Sequence, residues 1–247
     1  MQVLTFDFHN TLANCDPWFA LEVRDLPWAV IEHLRLSDSE YDKDRVTEAY
    51  RQLRLDVIAS GREIDAYDSA VHILDRFDIP SSRTEIERTV DDLMALAVEA
   101  MEPAPGAIDT VRHLHSTGVR LGVVSSAVHH QTVAGILGRM GIASCFDAVV
   151  TSASSGYYKS SPAIYATALR ELGGTAHGSV HVGDSLKWDV EMAQRAGMTA
   201  VWLRTPNRDV FSSANHNPSA TLILPSMERA GPALVGLLER LRTSANA

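Results

Sequence analysis

Cysteine is scarce in this chain of 247 residues, which contains only Cys15 and Cys145. The two lie far apart and form neither a CxxC pair nor a Cys/His ligand pattern, which excludes a zinc finger and favours a protein kept reduced in the cytoplasm. Long apolar runs are also missing. Nowhere do about 18 apolar residues follow one another, and the N-terminus has no basic stretch before an apolar one. We therefore expect a soluble cytoplasmic protein with no membrane partner.

Basic clusters are absent as well, and 22 Lys and Arg against 31 Asp and Glu give a formal net charge of −9. A nucleic-acid binder needs a basic face for phosphate contacts, so we expect no nucleic-acid partner. The acidity is uneven. Residues 14–102 contain 10 basic and 21 acidic side chains, whereas the rest of the chain contains 12 and 10.

The hydrophobic pattern divides the chain in the same way. A short apolar run, Val3–Phe6, stops at Asp7 and is typical of a central strand in a parallel sheet. From Pro17 to Met101 apolar residues recur at helical spacing. Strands and helices alternate beyond residues 103–106 (Pro-Ala-Pro-Gly), which predicts βαβ units and an open parallel sheet.

We therefore predict an α/β fold with a parallel-sheet core of residues 1–13 and 103–247, and a helical domain of residues 14–102 inserted after the first strand. The later strands are predicted at 121–124, 148–151, 180–182, 199–203 and 221–224. Helices are predicted at 128–140, 162–172 and 226–241, and a further helix follows the strand at 180–182 and ends at residue 196.

Polar residues follow the predicted strands, where doubly wound sheets bind ligands. Asp7 is suited to act as a carboxylate nucleophile, and Asp7 with Asp184 to hold a hard cation such as Mg²⁺. Lys159 and the Ser125 hydroxyl are suited to neutralise a transferring phosphoryl group.

Three further residues complete this candidate site. Backbone N–H groups near Asn10 and Ser126 are expected to help bind the substrate's phosphoryl group. Asp189, five residues beyond Asp184, is placed either to anchor Lys159 or a metal-bound water, or to be an ordinary acidic residue at a helix start.

Four segments resemble the ordered motifs of the haloacid dehalogenase-like (HAD) hydrolase superfamily, and the insertion resembles that family's helical C1 cap. The segments are DFHNTL at 7–12, VVSS at 123–126, YKSSP at 158–162 and VGDSLKWD at 182–189. The resemblance implies a Rossmann-like core, an aspartyl nucleophile at Asp7, a Mg²⁺ cofactor and phosphate-ester hydrolysis.

The chain departs from the family pattern at His9, where phosphatases of the family usually carry a second Asp as general acid and base. The metal ligand expected at this position is the backbone carbonyl, which His9 keeps. Three hypotheses remain open. His9 replaces the Asp as acid and base, which imidazole can do near neutral pH. Alternatively the substrate needs no such acid, as with carbon–halogen bonds cleaved by the family's metal-independent dehalogenases, or the chain binds without efficient turnover.

The metal carboxylate Asp184 favours the Mg²⁺-dependent phosphatase among these, because the dehalogenase branch does not need it. Trp18 either faces the substrate at the cap entrance or packs into the core. The acidic cap disfavours large polyanions through its field, so we expect a small monophosphate, or a substrate with a cationic group. The sequence leaves the oligomeric state open.

Other cationic and imidazole side chains are given ordinary interpretations. Arg24, Arg51 and Arg54 are cap cations able to meet an anion, with a solvated helix face as the favoured interpretation. The histidines at 113, 115, 129 and 130 are expected to be solvated or capping.

Overall fold

The computed structural model describes residues 2–36, 41–204 and 219–245, with side chains up to Thr243. A six-stranded parallel sheet has the order β5-β4-β1-β6-β7-β8, and a separate antiparallel pair joins β2 to β3. The strands are β1 (Val3–Phe6), β2 (Ala13–Asn14), β3 (Glu102–Pro103), β4 (Arg120–Ser125), β5 (Ala148–Thr151), β6 (Val180–Gly183), β7 (Thr199–Leu203) and β8 (Leu222–Leu224).

Helices surround this sheet and fill the insertion. The α-helices are α1 (Asp16–Ala20), α2 (Leu26–His33), α3 (Lys43–Ser60), α4 (Ala66–Arg76), α5 (Arg83–Ala100), α6 (Ala107–Ser116), α7 (His130–Arg139), α8 (Ser152–Ser155), α9 (Ala163–Glu171), α10 (Met192–Arg195) and α11 (Ala230–Ala245). Two π-helical turns, Leu21–Asp25 and Leu186–Glu191, and a 3₁₀ turn, Ala143–Cys145, complete the pattern.

Alternate strand residues face opposite sides of the sheet, and each side has its own apolar cluster. Leu4 and Phe6 of β1 pack on the side of α6, α7 and α11, whereas Val3 packs with α9. The first cluster continues without a break into the helices of the insertion. Helices on both faces make the architecture a Rossmann-like α/β fold, as the sequence predicts.

The predicted elements agree with this architecture, with differences at helix starts. The strands at 148–151 and 199–203 have the predicted bounds. Arg229 has a positive φ of 58°, which ends any helical path before Ala230, so the last helix begins four residues later than predicted. The chain also forms α6 and the two-residue strands, which the pattern did not indicate.

The inserted helices α1 to α5 lie between β2 and β3 along the chain. Because β2 pairs with β3, the inserted segment begins and ends at the same place. Backbone hydrogen bonds hold this segment to loops at the carboxyl edge of the sheet. Ala66 N–H donates to Val128 at 2.8 Å, and Tyr158 N–H donates to Gly61 at 3.1 Å. The insertion therefore lies next to the loop that carries Lys159.

Within the described residues, we find no helix with the length and apolarity that a membrane crossing requires.

Candidate active site

The candidate nucleophile, Asp7, directly follows β1 at the carboxyl edge of the sheet. Its backbone N–H donates to the Val182 carbonyl in β6 at 2.8 Å, and its side chain is buried. Because β1 lies between β4 and β6, the residues that end those two strands converge on Asp7.

A single lysine joins two carboxylates at this edge. Lys159 Nζ donates to Asp7 Oδ1 at 2.5 Å and to Asp189 Oδ1 at 2.6 Å, and all three side chains are buried. Burial alone would lower the pKa of Lys159, but the negative charges of Asp189 and Asp7 outweigh it and raise that pKa above the usual value. The lysine is therefore fixed in its cationic form beside the nucleophile.

The Asp189 carboxylate is itself held in place by two further contacts. Ser185 N–H donates to Asp189 Oδ2 at 2.9 Å, and His181 Nε2 lies 3.3 Å from Oδ1. Burial alone would raise the pKa of Asp189, but the charge of Lys159 and the His181 contact hold it below its usual range. Because donors contact both carboxylate oxygens, Asp189 is suited to orient Lys159 as a fixed anion.

A second layer of residues that sequence reasoning missed supports Asp189. The imidazole of His181 is fully buried, with Nδ1 2.8 Å from Thr5 Oγ1 and its ring edge-on to Tyr165 at 4.9 Å. Burial lowers the pKa of His181, which favours the neutral ring. A histidine inside a four-residue buried strand was the available signal, since an apolar side chain is usual there.

Asp184 brings a third carboxylate to the same point. Burial and the charges of Asp7 and Asp189 raise its pKa to about 8, and burial raises the pKa of Asp7 to about 6 against the opposing charge of Lys159. Three carboxylates thus share one lysine, and burial together with the surplus negative charge disfavours the ionised forms of Asp7 and Asp184.

The donor set suits a divalent cation. One oxygen from each of Asp7, Asp184 and Asp189 lies within 4.8 Å of the others. Hard oxygen ligands with surplus negative charge are what Mg²⁺ prefers, and a cation there would offset the repulsion that raises two of the pKa values. The residues present therefore fit Mg²⁺.

The other predicted residues lie around this cluster. Ser125 is the buried last residue of β4, and the side chain of Ser126 hydrogen-bonds the Tyr158 hydroxyl. Asn10 has a positive φ of 66°, and its side chain hydrogen-bonds Asp184. The structure thus gathers the predicted residues at one edge, while their roles stay predictions.

Aromatic side chains surround His9. Trp18 is 1% exposed and packs edge-on against Phe8 at 5.8 Å and His9 at 5.6 Å, so the structure places it in the core. Its contact with a substrate stays a prediction. Phe19 stacks on His9 with the ring centroids 5.2 Å apart and, unlike Trp18, is 41% exposed.

A buried polar cluster joins the insertion to the core beside Lys159. Arg54 Nη1 donates to Glu63 Oε1 at 2.6 Å, and its guanidinium lies 5.9 Å from the ring of Tyr158. Glu22 Oε1 accepts a 2.9 Å hydrogen bond from Val128 N–H in the core. Burial raises the pKa of Glu22 to about 8, so its carboxyl is mainly protonated at neutral pH.

Two predictions from the sequence are therefore wrong, namely that Arg54 lies on a solvated helix face and that His129 is a solvated or capping residue. Arg54 is buried in an ion pair, because the insertion packs on the core at that point, whereas Arg24 and Arg51 are exposed. His129 is buried between the core and the insertion, where Nε2 lies 2.8 Å from Tyr67 Oη and 3.1 Å from Asp91 Oδ1.

The parallel sheet and the carboxylates at its carboxyl edge define an α/β fold with a candidate site at the strand ends. The chain belongs to the haloacid dehalogenase-like hydrolase family, whose profile matches residues 1–197. The family resemblance seen in the sequence is thereby confirmed.

Curated relatives match part of the chain. Glyceraldehyde 3-phosphate phosphatase of Methanopyrus kandleri is 36% identical over 104 residues, which cover 42% of this chain and 44% of the relative. The chain spans about half the length, or less, of the first curated relatives it matches.

Solved structures match almost the whole chain. A HAD phosphatase from Thermococcus onnurineus has a TM-score of 0.63 and 26% identity, covering 96% of this chain and 99% of that structure. A 2-haloacid dehalogenase from Pseudomonas syringae has a TM-score of 0.69 over 97% and 99% of the two chains. At 21% identity the second similarity supports the fold alone.

Replacing Gly183 tests how the cluster is held. A Cβ at Gly183 would lie 2.5 Å from Asp189 Cβ and Oδ2, so Gly183→Ala must displace Asp189 and with it Lys159. We expect kcat/KM to fall on the order of 100-fold, measured with an aryl phosphate.

Gly138→Ala is the matched control, because a Cβ there meets nothing within 4 Å and Gly138 lies in α7. It should leave activity unchanged and slightly raise the melting temperature. Equal activity of the Gly183→Ala and Gly138→Ala proteins would contradict the tight placement of Asp189.

The raised pKa of Glu22 predicts that the free energy of unfolding depends on pH. Its pKa in the folded chain, about 8, is above the ordinary 4.5, so the stability contributed by the neutral carboxyl is complete below pH 4.5 and is lost as pH rises towards 8. Glu22→Gln keeps a neutral acceptor for Val128 N–H. We expect the two proteins to differ little near pH 5, and the variant to be more stable at pH 9 by on the order of 4 kcal/mol.

Urea unfolding at the two pH values measures this difference. Glu48→Gln, on the exposed face of α3, is the control and should show no growing gap between pH 5 and pH 9. A constant difference between wild type and Glu22→Gln across this range would refute the buried neutral carboxyl.

Proposed function

We propose that the chain catalyses the Mg²⁺-dependent hydrolysis of a small phosphate ester through an aspartyl-phosphate at Asp7, with His9 in place of the usual second Asp. The supporting observation is the set of contacts in which Lys159 joins Asp7 to Asp189 while Asp184 lies close to both. That arrangement combines a nucleophile, a fixed cation and a cation-binding pair of carboxylates at one sheet edge.

The reaction begins with an Asp7 carboxylate oxygen attacking phosphorus, as the bond from phosphorus to the ester oxygen breaks. The ester oxygen leaves with the bonding electron pair and takes a proton from water to give the alcohol, and that proton is returned to solvent when water later attacks the aspartyl-phosphate. Lys159 neutralises charge on the phosphoryl oxygens and keeps Asp7 in register, while Asp189 keeps Lys159 in place. Mg²⁺ bound by Asp7, Asp184 and the His9 carbonyl would supply further charge neutralisation. Water then attacks phosphorus, which releases phosphate and restores the Asp7 carboxylate.

Ser125 and Ser126 are proposed to bind the phosphoryl group from the β4 side of the site. Ser125 ends β4 and is buried, and Ser126 is tied through its side chain to Tyr158, the neighbour of Lys159. Asn10 is proposed to contribute from the other side by orienting Asp184 through its side chain, because its own backbone N–H donates to the Ala13 carbonyl at 2.8 Å. These groups act as fixed dipoles that need no reorganisation during transfer.

We propose that residues 14–102 form a cap that covers this site on the core of residues 1–13 and 103–247. Its 21 acidic against 10 basic side chains disfavour large polyanions through their field. Four relatives named glyceraldehyde 3-phosphate phosphatase make glyceraldehyde 3-phosphate the first substrate to assay. A small monophosphate is compatible with both the acidic cap and these relatives.

A metal-independent dehalogenase is the second enzyme class for this fold. The absence of a carboxylate at His9 favours it, whereas Asp184, beside Asp7 and with a raised pKa, favours a cation-dependent enzyme. Halide release from a short 2-haloacid in the presence of a chelator would support the dehalogenase and contradict our proposal.

Asp7→Asn tests the nucleophile. The amide lacks the charge needed for attack, whereas Lys159 retains Asp189 as a partner, so we expect a folded protein with kcat lowered on the order of 10³-fold or more. Initial rates with glyceraldehyde 3-phosphate and an aryl phosphate measure the loss, and Asp75→Asn, an exposed site in α4, is the control. Activity of Asp7→Asn within tenfold of wild type would rule out covalent catalysis at this residue.

Asp184→Asn tests the metal site through stability as well as activity. Without metal, we expect the variant to be at least as stable as wild type at pH 7, because the amide removes a carboxylate repelled by Asp7 and Asp189. With Mg²⁺ at about a hundredfold its Kd, wild type should gain about 2.7 kcal/mol and the variant much less.

Thermal unfolding with and without Mg²⁺ measures the two effects, and addition of a chelator should abolish wild-type turnover. An identical Mg²⁺ response in wild type and Asp184→Asn would exclude Asp184 as a ligand.

A further inference from the structure

His9 lies two residues after the nucleophile and is half-buried, and its ring contacts the start of the inserted segment. The backbone N–H of Cys15 donates to His9 Nε2 at 3.3 Å. The ring also stacks on Phe19, with 1° between the ring planes, and meets the edge of Trp18. These contacts are made to residues 15–19, where the inserted segment begins.

Cys15 is the residue that caps this segment's first helix. It precedes α1 in an extended conformation, and its Sγ accepts from Trp18 N–H at 3.4 Å. Its own N–H is directed at His9, so the imidazole joins the nucleophile loop to the N-terminus of α1. The short helix continues into the π-helical turn that carries Glu22, which bonds the core at Val128.

The acceptor role of Nε2 determines how the ring is used. A ring nitrogen that accepts from an N–H holds a lone pair there, so the proton of the neutral imidazole is on Nδ1. Delivering a proton to a leaving group from Nε2 would require that the Cys15 contact be broken. The geometry therefore favours a structural use of this atom over acid and base chemistry.

We infer that His9 is a positioning residue, which holds the first helix of the inserted segment against the loop of Asp7 and so fixes the placement of the cap over the phosphoryl site. The inference rests on the proposed function for its kinetic readout, but the contact itself is measured independently of activity.

Three substitutions separate positioning from acid and base catalysis. In His9→Gln the amide oxygen can reach the place of Nε2 and accept from Cys15 N–H, yet it cannot transfer protons near neutral pH. In His9→Asp the carboxylate has the family's usual acid and base chemistry but is too short to reach that place. His9→Ala removes both functions.

For a positioning residue we expect His9→Gln to retain kcat within about fivefold of wild type, whereas His9→Asp and His9→Ala raise KM at least tenfold. Acid and base catalysis predicts the reverse order, with His9→Asp active and His9→Gln lowered by on the order of 10² to 10⁴ in kcat. That reverse order would overturn the inference.

Amide hydrogen exchange at Cys15 supplies the readout that does not depend on turnover. We expect protection of this amide in wild type and His9→Gln, and exchange at least tenfold faster in His9→Asp and His9→Ala, with amides of β4 unchanged as the control for global stability. Equal protection in all four proteins would overturn the inference. If wild type hydrolyses no phosphate ester, the proposed function fails while the exchange experiment still decides the role of His9.

Discussion

The ion pair network of Lys159 is the interaction on which the candidate site depends. One buried ammonium group contacts Asp7 and Asp189, and burying it with neither partner would be strongly unfavourable. The network restricts the nucleophile, its cation and the anchoring aspartate to one geometry at the end of β1. It also explains why the loops after β4, β5 and β6 converge there, since each carries one part of the cluster or its support.

Charge balance links this network to its proposed cofactor. Lys159 supplies one positive charge for three carboxylates. The pKa of Asp189 is held below its usual value, whereas the pKa values of Asp7 and Asp184 are raised above theirs. A site with this imbalance is poised to take up a divalent cation and, with it, the negative charge of a phosphoryl group. The inserted helices add a second restraint, because their buried Glu22 and Arg54 contact the core close to the same loops.

Much of the fold could be predicted from the sequence because βαβ alternation is a local signal. Strand ends at Asp7, Ser125 and Gly183 indicated the edge where polar groups meet, and the order of the four motifs indicated the family. Contacts made through the fold had no such signal. His181 supports Asp189 from inside β6, and Arg54 and Glu63 pair nine residues apart, so their roles depend on packing that periodicity does not reveal. For His9, the sequence showed the departure from the family but not the Cys15 contact that suggests its use.

The central claim is that Asp7 becomes phosphorylated during turnover. Rapid acid quenching of the protein with Mg²⁺ and an aryl phosphate, followed by mass spectrometry of the peptide containing Asp7, measures this most directly. Our account predicts a phosphoryl group on Asp7 that forms with the first turnover and disappears when substrate is exhausted. Single-turnover product release with no phosphorylated peptide at any time point would contradict it.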